Sequence, residues 1–290
     1  MPSITRVGEP CIAALMALAA LPAHADTGVR LRASAEAVWD DNVTRSSRDE
    51  RLSDAFARIN ASARAPVRLT EHARLVLDGG VGSELFARYS GLNRTIAEVR
   101  AELQYRPSGA YAAPTVALFI KQSGDWYAST LRDGWRGNAG LSVRKPLTDR
   151  IVVMGEAGYQ WRNASSNVFD TREATLRAGL DYALARQHTL YLNLEYRDGD
   201  AITSSPPEPA LAAIKVVSVR DDAFPDQVRN AYRLKARTGL LTTGWNFALT
   251  DSQSLDVSFR TVYSRPKSQP DGQSIFYVDH QLSAAYLVRF

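Results

Sequence analysis

Apolar and polar residues alternate along most of this chain with a period of two. The clearest stretch is 97–106, with Ala97, Val99, Ala101, Leu103 and Tyr105 on one side and Glu98, Arg100, Glu102, Gln104 and Arg106 on the other. Successive side chains of a strand point to opposite faces, so this is a strand with one apolar and one ionic face. The same pattern predicts strands at 29–39, 57–64, 73–78, 135–144, 151–162, 173–182, 190–197, 255–263 and 276–290. Residues 115–121 form an apolar run whose phase alternation does not fix. In 232–247, Tyr232, Leu234 and Ala236 alternate with Arg233, Lys235 and Arg237, but Leu240 and Leu241 break the phase, which predicts a bulge. The segment 198–230 is rich in Pro, Ser and Asp and predicts a long loop, with a patch AALAAIKVVSV that suits a short helix or a loop hairpin.

These elements make twelve strands, and their connections alternate between long and short. The final strand is longer than the five or six residues usual in globular sheets, and suits a tilted bilayer crossing of about nine to eleven residues. Even strand number, alternating connections and one apolar face per strand predict a fold. It is an all-β, closed antiparallel up-and-down transmembrane barrel with about 12 strands and both termini periplasmic. Aromatic residues gather at the two ends of the apolar face: Trp39, Trp161, Tyr196, Tyr263, Trp135, Tyr232 and Phe276 at one, Tyr105, Tyr182, Phe247, Tyr286 and Phe290 at the other. Rings of this kind favour headgroup depth. A soluble sandwich would also alternate, but explains neither the belts nor the loop rhythm.

The chain ends SIFYVDHQLSAAYLVRF, with Phe290 preceded at every second position by Val288, Tyr286, Ala284 and Leu282. This resembles the C-terminal signature of bacterial outer-membrane β-barrels, with Ser283, Ala285, Val288 and Phe290 in its polar, small, hydrophobic and aromatic places and Tyr286 on the same apolar face. Ala285 stands where glycine is commoner. The resemblance implies that Ser283, Ala285, Tyr286, Val288 and Phe290 form an assembly signal read by the barrel assembly machinery. In pattern, the whole of 26–290 resembles small outer-membrane porins or channels, whose partners are outer-membrane lipid, lipopolysaccharide and small solutes.

Composition supports export. Arg6 precedes the apolar core CIAALMALAALP, and Ala23-His24-Ala25 gives a small-x-small cleavage pattern, so 1–25 is expected to be a secretory signal peptide and 26–290 the barrel domain. The single cysteine, Cys11, lies in that signal. The formal charge of +4 comes with no dense basic run, which sets nucleic acid aside as a partner. No run of apolar residues is long enough for a helical span.

If the apolar faces meet lipid, the polar faces enclose a lumen. The basic lumen set is Arg30, Arg32, Arg58, Arg64, Arg74, Arg100, Arg136, Arg144, Arg177, Arg233, Lys235 and Arg237. Two outcomes stay open. The arginines either pair with Glu98, Glu102, Glu156, Glu173, Asp181, Glu195 and Asp256 and close the barrel as a structural or secretion-associated element, or leave an excess that favours small anionic hydrophilic solutes, as basic rings do in anion pores. An outer-membrane hydrolase is a further alternative. It needs a histidine beside a serine or carboxylate, whereas His72 and His188 fall at turns, and His280 faces lipid, opposite to Ser283. Asp40 and Asp41 resemble the acidic pair of the surface proteases but read as a solvated loop start. No catalytic residues, cofactor motif or metal spacing are expected.

Overall fold

The computed structural model describes residues 28–47, 49–269 and 275–290. The expected signal segment and Cys11 lie outside them. The alternating stretches form strands β1 (Arg30–Asp40), β2 (Asp54–Arg68), β3 (Ala73–Phe86), β4 (Arg94–Tyr105), β5 (Thr115–Tyr127), β6 (Gly134–Pro146), β7 (Ile151–Ala164), β8 (Thr171–Ala185) and β9 (His188–Ser205). A short helix α1 (Pro209–Ile214) and strand β10 (Val217–Arg220) follow, then β11 (Asn230–Ala248), β12 (Gln253–Pro266) and β13 (Tyr277–Arg289). Apart from β9 and β10, each strand pairs antiparallel with its sequence neighbour. β13 returns to β1, and β9 pairs directly with β11, so twelve strands close into a barrel with β10 as an appendage on β11.

The seam is held by the chain's last residues. Tyr286 faces Ala35 and Val288 faces Ala33 across it, and the Phe290 amide donates to the Leu31 carbonyl at 2.9 Å. Inside, the Ser283 and Ser258 hydroxyls bond at 2.8 Å.

The first and last described residues and the short connections 69–72, 147–150, 186–187 and 249–252 lie at one end, here called the turn end. The loops 41–53, 87–93, 128–133, 165–170, 206–229 and 267–276 lie at the other. The connection 106–114 is the exception to the rhythm, a long one at the turn end.

The outward surface is apolar. Ile59, Val99, Leu118, Leu176 and Leu194 are all more than half exposed. An unbroken apolar waist of this kind is stable against lipid and not against water. Trp39, Trp135, Tyr196, Tyr263 and Phe276 are exposed at its loop-end margin, and Tyr105, Tyr286 and Phe290 at its turn-end margin. Tyr232 corrects the expected belt: it is 2% exposed, packed inward with Leu211 and Leu234 beneath α1.

Wide rings need room beside them on so curved a wall. Trp161 lies flat over Gly137 of the neighbouring strand, where an added Cβ would sit 2.1 Å from the indole ring. Gly137→Val is therefore expected to displace Trp161 and cost about 1–3 kcal/mol by overpacking. The check is a lower temperature for loss of the compact, fast-migrating form on unheated gels.

The open phase of β5 is resolved, and the expected bulge in β11 is absent, each for a physical reason. β5 carries apolar residues on both faces, because Leu118 and Ile120 meet lipid while Ala117 and Phe119 are buried inside at 4% each. β11 has no bulge. Its register with β9 runs unbroken from Asn230 to Phe247, with Leu240 lining the interior and Leu241 exposed outside. In the segment 198–230, β9 continues to Ser205, further than expected, while the AALAAIKVVSV patch gives the short helix α1 that was one of its two expected forms, followed by β10.

Candidate functional site: the lumen and its roof

The ionic faces meet inside as two ladders of ion pairs. The first crosses six strands. Arg58 of β2 bonds Glu36 of β1 at 2.7 Å and Glu84 of β3 at 2.8 Å. Arg94 of β4 grips the other Glu84 oxygen at 2.7 Å, and Asp125 of β5 lies 3.8 Å from Arg94 and 2.7 Å from Arg136 of β6. The second crosses three strands: Arg177 of β8 bonds Glu156 of β7 at 2.6 Å and Glu195 of β9 at 3.0 Å, and Arg197 bonds Glu195 at 2.5 Å and Glu173 at 3.6 Å. Opposite charges on facing cross-strand positions stabilise a sheet, and here they also fill space.

Other predicted lumen arginines are less tied. Arg64 has Asp78 at 3.5 Å. Arg100 bonds Glu102 at 2.9 Å and lies 4.3 Å over the ring of Phe119. Arg74 bonds the Gln104 side chain. Arg30, Arg32, Arg74 and Arg144 have no carboxylate within 4.0 Å among the described residues. Arg30, Arg74 and Arg144 line a cavity of about 620 Å³ that occupies the turn-end half of the barrel. A second cavity of about 490 Å³ fills the loop-end half, lined by Arg45, Arg94, Arg162 and Arg260 among others. The two meet at Arg100, Arg177 and Leu240, which line both.

Arg233, Lys235 and Arg237 do not belong to the lumen. Lys235 and Arg237 are 54% and 68% exposed on the outer face, where they pair with Asp200 at 2.8 Å and Asp198 at 3.7 Å. Arg233 donates to the Asp170 carbonyl at 2.7 Å, beside the loops. The phase of β11 is the opposite of the expected one because its first half rises beyond the lipid zone. There the outer surface meets water, and the inner surface is covered by α1.

Loop residues that alternation cannot reveal close the loop end. The 41–53 loop passes over β11–β13 to β9, where the Thr44 carbonyl accepts the Ser204 amide at 2.8 Å and the Glu50 carbonyl accepts Arg229 at 2.8 Å. Arg45, the single non-glycine residue with positive φ (52°) among those described, turns from this loop into the lumen. From the opposite side, 206–229 lays Phe224 against Tyr89 at 5.2 Å, and Ala223 against Gly91 so closely that a Cβ on Gly91 would be 2.5 Å from the Ala223 Cα. Asp221 receives both terminal nitrogens of Arg132 at 2.7 Å, and Arg132 also lies 4.4 Å over the ring of Phe169. Burial alone would push the Asp221 carboxyl up, but Arg132, Ser204 and the Ala223 amide outweigh it and hold it below the ordinary carboxylate range.

The histidines stand where the sequence places them. His72 and His188 are at the turn end, with His188 clustered against both Trp245 and Phe247, while His280 is outside, stacked on Phe259 and bonded to Thr261 at 3.1 Å. Ser283 is on the opposite face. Asp40 and Asp41, expected in solvent, are instead 6% and 9% exposed.

No family model matches the chain, and no curated protein matches it in sequence. Solved structures do resemble it in fold. The COG4313 outer membrane channel from Pseudomonas putida F1 is similar with a TM-score of 0.59 and 11% identity, covering 91% of this chain and 96% of that one. The KdgM porin, solved in complex with disordered oligogalacturonate, gives 0.49 and 11%, covering 89% and 99%, and the NanC porin 0.44 and 7%, covering 90% and 98%. With its apolar waist and enclosed ionic interior, the chain has the fold and surface of an outer-membrane β-barrel.

Proposed function

We propose that this barrel is a passive outer-membrane channel for small hydrophilic anions, entered from the turn end and controlled at the loop end. The observation that carries the reading is the turn-end cavity, where Arg30, Arg74 and Arg144 lack carboxylate partners within 4.0 Å among the described residues. Unpaired guanidiniums beside water attract anions and repel cations. The orientation that suits this reading puts both termini in the periplasm and the roofed end toward lipopolysaccharide, and the β13 end residues offer the assembly machinery its signal. A proteolysed leader over 1–25 completes the picture.

The double variant Arg30→Gln, Arg144→Gln is expected to reduce anion preference in planar bilayers under a salt gradient, moving the reversal potential toward zero, and to leave the heat resistance of the folded form unchanged. A wild-type protein that inserts without conductance, or prefers cations, would overturn the channel reading.

A second reading is favoured by the roof and the ladders: a closed structural or secretion-associated barrel. It predicts no conductance in the wild type, and lower heat resistance whenever a ladder arginine is removed.

A further inference from the structure

We propose that Asp40, Asp41 and Asp279 form a calcium site that fastens the root of the 41–53 loop to β13. The three carboxylates come from the end of β1 and from a strand that meets it across the barrel seam, and their oxygens lie within 4.8 Å of one another. They are 6%, 9% and 2% exposed.

Their hydrogen bonds account for all but one oxygen. Asp40 accepts the Asn42 amide at 2.7 Å and Gln281 Nε2 at 2.9 Å. Asp41 accepts the His280 amide at 2.7 Å and Arg51 at 3.1 Å. Asp279 Oδ2 has a long contact of 3.4 Å to Gln281, and Asp279 Oδ1 is fully buried with no partner among the described residues. Arg45 and Arg260 line the adjoining cavity, but neither forms an ion pair with the cluster within 4.0 Å.

An orphaned carboxylate oxygen away from water is costly unless something occupies its lone pairs. Arg51 is the one guanidinium bonded to the three carboxylates, and Arg45, farther off, offsets only part of their charge, which leaves a deficit of positive charge. A doubly charged ion matches that deficit. All the donors are oxygens, with the His280 ring turned to the outer face, and this set suits a hard cation better than zinc or copper. Calcium tolerates irregular geometry and completes its shell with water, which three monodentate carboxylates at a loop root leave room for.

Asn42, adjacent to the cluster, organises the loop. Its side chain donates to the Ser46 and Val278 carbonyls, each at 2.9 Å, and accepts the Ser46 amide at 3.0 Å. Calcium at the three carboxylates therefore secures the loop that carries Arg45 over the lumen.

The test is calorimetric titration of calcium chloride into the chelator-treated folded protein in lipopolysaccharide-free detergent. One saturable site is expected, with Kd on the order of 10⁻⁴–10⁻³ M as in extracellular calcium modules. Saturation should raise the temperature at which the folded form is lost by about 2–4 °C. Asp279→Asn and Asp40→Asn should each weaken binding at least about tenfold, a loss of ~1.4 kcal/mol. Should Asp279→Asn fail to give the compact gel form, Asp40→Asn and terbium luminescence of the wild type decide in its place. Absence of binding up to about 10 mM calcium, or wild-type affinity in the variants, would overturn the proposal. So would an Asp279→Asn protein whose stability matches the calcium-loaded wild type while the wild type ignores calcium, because the cluster would then be holding a shared proton.

Discussion

Asp221→Ala is expected to open the loop end of the barrel. Asp221 is wholly buried and Arg132 nearly so, and their two-pronged bond joins the 206–229 loop to the β5–β6 loop across the mouth. Truncating one member of such a pair leaves a charge buried without a partner and costs about 3–5 kcal/mol. Ser204 and the Ala223 amide lose their acceptor as well. The β-ladder of the wall is untouched, so the cost falls on the roof. Trypsin cleavage after Lys215 and Arg220 should accelerate about a hundredfold, as an opening made easier by some 3 kcal/mol implies. Single-channel conductance should rise in parallel. Acid gives an independent check. Because the folded Asp221 carboxyl titrates below its unfolded value of about 3.9, its contribution is complete above that value and is lost as pH falls through the lower folded one. Wild-type conductance should therefore step up below about pH 4, and Asp221→Ala should show no such step. Equal protease resistance in the two proteins would remove the pair from the closing device.

Arg177→Gln is expected to make the junction of the two cavities more negative. Arg177 lines both cavities and holds Glu156 and Glu195. Without it Glu195 keeps Arg197, but Glu156 has no cation left within 4.0 Å among the described residues. A free carboxylate at the junction favours cations. Reversal potentials under a salt gradient should shift toward cation preference by more than in the Arg30→Gln, Arg144→Gln protein. An unchanged selectivity would show that ions do not pass this junction.

The sequence made the lipid-facing half of the fold readable, because hydrocarbon tolerates few polar side chains and so imposes strict alternation on β4, β8 and β9. That rule stops where lipid stops. Lys235 and Arg237 alternate as a lumen wall would, yet face outward, since their stretch of β11 stands in water. Phe119 hides the phase of β5 because the guanidinium of Arg100 gives an aromatic ring a place inside the barrel. Of the lumen, Arg58, Arg100, Arg136 and Arg177 were legible because they sit in regular strands. Arg45, Arg94, Arg132 and Asp221 were not, since loops and strand ends at the loop end follow no period, and Arg132 and Asp221 meet from loops far apart in the sequence. Asp279 shows the same limit: its polar phase is evident, but only barrel closure brings it to Asp40 and Asp41.

The outward pairs that β9, β11 and β12 carry beyond Tyr196 and Tyr263, with Asp198 gripped by Arg237 and Lys267, mark a waterline on one flank of the molecule. Below it the wall is greasy; above it Lys235 pairs with Asp200, and Arg237 and Lys267 with Asp198, while Arg265 stands exposed beside them. Such a flank cannot sink further without dragging ions into oil, so immersion depth and tilt are set by this one side of the cylinder, and the mouth is held proud of the bilayer there.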